Sequence, residues 1–130
     1  MARKLVDANV ILRYLLRDDE TLFQKASEVL EKVRTGEEKV VILESVLTEC
    51  VYVLLKVYTV NRSTIAEKLG GLLSYKGVAN LDKRDLIDSI NLFGQTHLSF
   101  VDCLLSAKSK NNAMPIVTFD AELINISKKN

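Results

Sequence analysis

The chain has 130 residues, 48% of them apolar and 27% charged, with a net charge of +1. That length suits one domain, residues 1–130, with a real core, and the balance excludes a disordered tail and a general polycation. A nucleic-acid partner would have to be held by a local basic patch or through metal. No run approaches the roughly eighteen apolar residues of a membrane span. The start, in which Asp7, Asn9, Arg13 and Arg17 interrupt the apolar residues, predicts no secretory leader and a cytoplasmic location.

Lys4 to Val6 reads as a short strand ending at Asp7. Ala8 to Arg17 then carries Val10, Ile11, Tyr14 and Leu15 at helical spacing. A second helix is predicted from about Glu20 to Arg34, with Gly36 as its stop. Val40-Val-Ile-Leu43 reads as a buried strand. Ser45 is expected to cap a helix running to about Tyr58, and Asn61 to cap another, Arg62 to Tyr75, with Gly77 ending it. Val78 to Leu81 reads as a weak strand and Lys83 to His97 as a helix. Ser99 is predicted to cap a helix from Phe100 to about Lys110, Pro115 to Phe119 to form the last strand, and Ala121 to Ser127 a short closing helix.

Strands separated by helices predict parallel pairing in a sheet covered on both faces, a small three-layer α/β/α sandwich. Ligands of such sheets sit beyond the carboxyl ends of the strands. Asp7 and Asp120 both fall just past such an end. Each also makes a good helix N-cap. Glu49 lies at the rim of the apolar arc Val46, Cys50, Val53, Leu54 and Val57, where it would be partly desolvated; on the polar side with Tyr52 and Lys56 it would be a surface acid. Asp102 shares a helix face with Ser106 and Ser109, and Ser99 to Asp102 also reads as a capping box. Taken together, Asp7, Glu49, Asp102 and Asp120 would gather at one sheet edge. Oxygen donors of that kind suit Mg²⁺ or Mn²⁺, which can activate water for attack on phosphorus.

Four segments in this order resemble the PIN-domain nucleases, and more narrowly the VapC-type toxins of toxin–antitoxin pairs. They are Val6-Asp-Ala-Asn9, Leu47-Thr-Glu-Cys50, Leu98-Ser-Phe-Val-Asp-Cys-Leu-Leu-Ser-Ala107 and Pro115-Ile-Val-Thr-Phe-Asp120. The resemblance covers nearly the whole chain. It implies that Asp7, Glu49, Asp102 and Asp120 are the metal-binding acids, with Asn9 and Thr118 as polar supports. It further implies a Mg²⁺- or Mn²⁺-dependent endoribonuclease acting on RNA, a parallel sheet in the order 3-2-1-4, a homodimer, and a small antitoxin partner. Cys103 follows Asp102 where family members often carry alanine.

Other signals are weaker. One histidine, His97, and the separated Cys50 and Cys103 give no zinc spacing, and the cysteines read as buried free thiols. Lys108, Lys110, Arg13 and Arg17 are candidates for phosphate contacts, with solvated surface charge as the alternative. A receiver-like signalling domain would need paired acids after the first strand and a lysine after a late one; Asp7 has no acidic neighbour and Thr118-Phe-Asp120 no lysine. A haloacid-dehalogenase-like phosphatase would need a second aspartate where Asn9 stands. A non-catalytic interaction module on the same fold is the third alternative.

Overall fold

The computed structural model describes residues 2–129. Its elements in chain order are β1 (Arg3–Leu5), α1 (Ala8–Leu16), α2 (Glu20–Thr35), β2 (Lys39–Val41), α3 (Glu44–Tyr52), α4 (Arg62–Leu73), α5 (Lys83–Gln95), α6 (Phe100–Asn112) and α7 (Ala121–Lys129). A single π-helical turn, Val53–Val57, prolongs α3. Side-chain oxygens start five of the helices, α7 among them through Asp120. Asp7 accepts from the Val10 N–H, Asp19 from Leu22, Asn61 from Thr64 and Ser99 from Asp102. Each satisfies a donor that the first helical turn leaves open. Gly36, at φ 89, closes α2 in the left-handed region that glycine enters freely.

β1 and β2 pair in parallel, with Lys4 opposite Val40. On the other side of β2, Val40 bridges Val78, its N–H donating to Gly77 O at 2.9 Å while Ala79 N–H donates to Val40 O at 2.8 Å. One residue on, the Asn80 side chain replaces backbone. Its Oδ1 accepts from Ile42 N–H at 2.9 Å and its Nδ2 donates to Ile42 O at 2.7 Å. Val40 and Ile42 are each 1% exposed, so the β-branched run fills the centre of the molecule. Around it pack Ile11 of α1, Leu30 of α2, Leu47 and Cys50 of α3, Leu69 of α4, Phe93 of α5 and Phe100 of α6.

Three expectations need correcting. Ser45 does not cap α3: the helix starts at Glu44, and Leu43 holds the cap position without a side-chain bond. Val78 to Leu81 contributes one bridge rather than a strand, because the Asn80 amide occupies the next pairing position. Residues 115–119 form no strand among the described residues; Val117 is 98% exposed and Phe119 fully so. Every residue of β1 is itself exposed, so its open edge offers that segment little burial, and Pro115 brings no N–H to a ladder. The architecture is α/β with a small parallel sheet among many helices.

Candidate active site

Asp7 stands two residues past β1, at the end where ligands of parallel sheets sit. One oxygen accepts the Val10 N–H at 3.0 Å, so capping is one of its roles; the carboxylate is exposed and its second oxygen is open to other partners. Asn9, in the first turn of α1, is exposed. Glu49 is exposed on α3 rather than desolvated at an apolar rim. The thiol of Cys50, the residue after Glu49, is fully buried, with its Sγ 3.9 Å from the carbonyl oxygen of Ala8, the residue after Asp7. Burial first, then the charges of Glu49 and Asp7, push that thiol up to about 12. The residues that follow Asp7 and Glu49 in the chain therefore meet where α1 packs against α3. This is the clearest convergence among the expected residues.

Asp102 is half-buried in the first turn of α6. Its backbone N–H donates to Ser99 Oγ at 3.2 Å, while its carboxylate has no hydrogen bond or ion pair among the described residues. The neighbouring Cys103 is fully buried, and burial pushes its thiol up to about 11. Asp120 is exposed and caps α7, one oxygen accepting from Glu122 N–H at 2.9 Å and Leu123 N–H at 3.1 Å. Thr118 supports it, its Oγ1 accepting the Asp120 N–H at 3.0 Å. Among the described residues no three acids, histidines or cysteines lie close enough to hold one ion. The full gathering of four acids expected at one edge is not formed in this arrangement. Asp120 belongs to a stretch that does not pair with β1.

The candidate basic residues are mostly committed elsewhere. Arg13 donates to Asp18 at 2.5 Å and to Tyr58 at 3.1 Å, and Arg17 to Glu20. Lys108 pairs with Glu44 at 3.0 Å and lies 3.9 Å from Asp85, which is 9% exposed and accepts from Asn111 Nδ2 at 2.9 Å. That network joins α3, α5 and α6. Sequence reasoning missed it, because its members are separated by tens of positions and no local pattern pairs them. His97 pairs with Glu122 at 2.8 Å, tying the turn before α6 to α7.

The donor chemistry of Asp7, Glu49, Asp102 and Asp120 is all carboxylate, which fits a hard divalent cation. Softer chemistry fits poorly, since both thiols are buried and held protonated. The PIN-domain family model matches residues 4–129. A VapC ribonuclease of Aquifex aeolicus (strain VF5) is 30% identical over 108 residues, covering 82% of this chain and 78% of its own length. No solved structure matches significantly. With its family pattern spanning nearly every residue, the chain belongs to the PIN-domain family.

Proposed function

We propose that this protein is a divalent-metal-dependent endoribonuclease, the toxin of a toxin–antitoxin pair. The observation that carries this reading is the PIN-domain match across residues 4–129, with Asp7 just past β1 and Glu49 on α3 beside Ala8 and Cys50, which meet at 3.9 Å. Asp102 and Asp120 would complete the set, with Asn9 and Thr118 as polar supports. Mg²⁺ or Mn²⁺, when bound, supplies activation of water and stabilisation of the leaving oxygen. The side chains themselves hold and orient: Asp7 keeps one oxygen on its helix cap and offers the other, and Thr118 fixes the backbone of Asp120.

We read the sheet in the family order 3-2-1-4, with the Val78 segment third and residues 115–119 fourth, beside β1. The family match over residues 4–129 supports that order, which would carry Asp120 toward Asp7. Family membership sets aside the receiver-like reading. The relative's name, VapC ribonuclease, supports RNA as substrate, and the resemblance to VapC-type toxins supports an antitoxin as partner. An apolar groove between α1 and α2, where Leu22 and Val29 are each 38% exposed, is a suitable surface for a protein partner. A homodimer and a cytoplasmic location complete the proposal.

Incubation of RNA with the protein in Mn²⁺ and in EDTA tests it. EDTA should abolish cleavage, and Asp7→Asn should lower the rate at least ~100-fold, the scale of removing a key electrostatic group. Cleavage that survives either change refutes the reading. RNA bound but uncut in Mn²⁺ would favour the interaction module.

A further inference from the structure

Helix α5 ends without the usual closure. Its last turn holds no basic residue, and Thr96 at its C-cap is extended, at φ −130 and ψ 179. The carbonyls of a last turn have no partners within the helix and must find them elsewhere. Arg62, the first residue of α4, provides one of them. Its Nε donates to Phe93 O at 3.1 Å, and its Nη2 donates to Leu98 O, beyond the helix end. Its guanidinium carbon lies 3.7 Å from the centroid of the Phe93 ring. A cation there also complements the negative end of the α5 dipole.

What Arg62 grips leads directly to Asp102. Phe93 meets Phe100 edge-on, with ring centroids 6.0 Å apart, and both rings are buried. Phe100 is the first residue of α6. Along the chain the two residues are joined by the turn from Thr96 to Ser99, in which Thr96 Oγ1 accepts from Leu98 N–H at 3.3 Å and donates to Leu92 O at 2.9 Å. Ser99 then caps α6 through the N–H of Asp102.

We propose that Arg62 is a positioning residue for Asp102: by bonding Leu98 O and stacking on Phe93, it sets the α5–α6 turn and hence where α6 begins. It touches neither metal nor RNA; it acts through the backbone that carries the acid. Lysine cannot replace it fully, because one ammonium cannot stack and bond both carbonyls at once. The inference rests on the nuclease reading for the role of Asp102, but not for the geometry of the turn.

The test uses the full chain as wild type, Arg62→Lys, Arg62→Met and Leu30→Val, the last a core change remote from the turn. Three properties are measured: Mn²⁺ affinity by calorimetry, kcat and KM for RNA cleavage, and amide hydrogen exchange at Asp102 and Cys103. Arg62→Met should weaken Mn²⁺ binding about 10-fold, the scale for removing a group that orients a ligand. It should lower kcat by a similar factor, leave KM for RNA within about twofold, and speed exchange at both amides. Arg62→Lys should fall between it and wild type. Leu30→Val should lose thermal stability without these changes. Wild-type metal affinity and exchange in Arg62→Met overturn the proposal while leaving the nuclease reading intact. A wild-type protein that binds no Mn²⁺ overturns the nuclease reading, and the exchange rates alone then support or overturn the role of Arg62 in the turn.

Discussion

Gly77 is the position where one methyl group should do most damage. Its φ is ordinary, so the requirement is for space rather than for a left-handed backbone. A Cβ built there would stand 2.1 Å from the Glu38 carbonyl oxygen, 2.7 Å from the Val33 carbonyl oxygen and 3.0 Å from the Val33 Cα. A carbon needs roughly 3.3 Å from such an oxygen, so backbone must move by about 1 Å. The hydrogen bonds at risk are Gly77 N–H to Val33 O at 2.7 Å and Val40 N–H to Gly77 O at 2.9 Å. Losing both costs about 1 kcal/mol each, and overpacking adds ~1–3 kcal/mol, so Gly77→Ala should destabilise by ~3–5 kcal/mol. For a chain of this size that is a fall in Tm of about 10 °C or more. Gly71→Ala is the control. Nothing lies within 4 Å of its added Cβ, and it sits inside α4. There alanine should stabilise by up to about 1 kcal/mol. Thermal melts followed by circular dichroism decide the matter. A Gly77→Ala protein melting within about 2 °C of wild type would refute the reasoning, since no flexible side chain is available to absorb the clash.

Three further variants have expected outcomes. Asp102→Asn in EDTA should change stability by less than ~1 kcal/mol, because Ser99 bonds the backbone N–H of residue 102 whatever its side chain. The same variant should gain less Tm from Mn²⁺ than wild type, as melts in both conditions will show. Gly94→Ala should be destabilising, since its added Cβ would lie 2.6 Å from the Ala66 Cβ where α4 and α5 cross; the same melts check it. Tyr14 donates to Glu31 and meets the Tyr75 hydroxyl at 2.8 Å; burial first, then the Glu31 hydrogen bond, holds its pKa well above the ordinary value. The folded state favours the neutral phenol, so that stability is present below about pH 10 and lost above it. Tyr14→Phe should therefore flatten the alkaline fall of Tm, and an unchanged slope would contradict the assignment.

The helices were largely legible in the sequence because their signals are local. Asp7, Asn61 and Ser99 cap where hydrogen-bonding side chains precede apolar periodicity, and Gly36 ends α2 where a left-handed residue is needed. Strands were harder, because pairing depends on partners far away in the chain. Residues 115–119 have the β-branched composition of a strand, yet composition cannot say whether β1 offers them burial. The Asn80 amide that stands in for a strand looks, in sequence, like any polar turn residue. Asp7 and Glu49 could be picked out by their places after a strand and within a helix. Lys108 with Asp85, and Arg62 with Leu98 O, could not, because each joins distant helices and neither has a local pattern.

The π-helical turn at Val53–Val57 also bears on which changes of length the chain can absorb. Tyr58 N–H donates to Val53 O at 3.2 Å, a five-residue step where an α-helix takes four. Such a turn is an α-helix holding one surplus residue. Dropping one residue from the exposed pair Lys56 and Val57 would let the ordinary step resume, and the buried face of α3 upstream would keep its phase. The same deletion within Glu44–Tyr52 would rotate everything after it by about 100° and turn Leu47, Cys50 and Val51 against one another's neighbours. Insertions and deletions in this helix should therefore concentrate in one turn. There the chain can shorten while Tyr58 still reaches Arg13 and Asp18 through a small adjustment of the loop that follows.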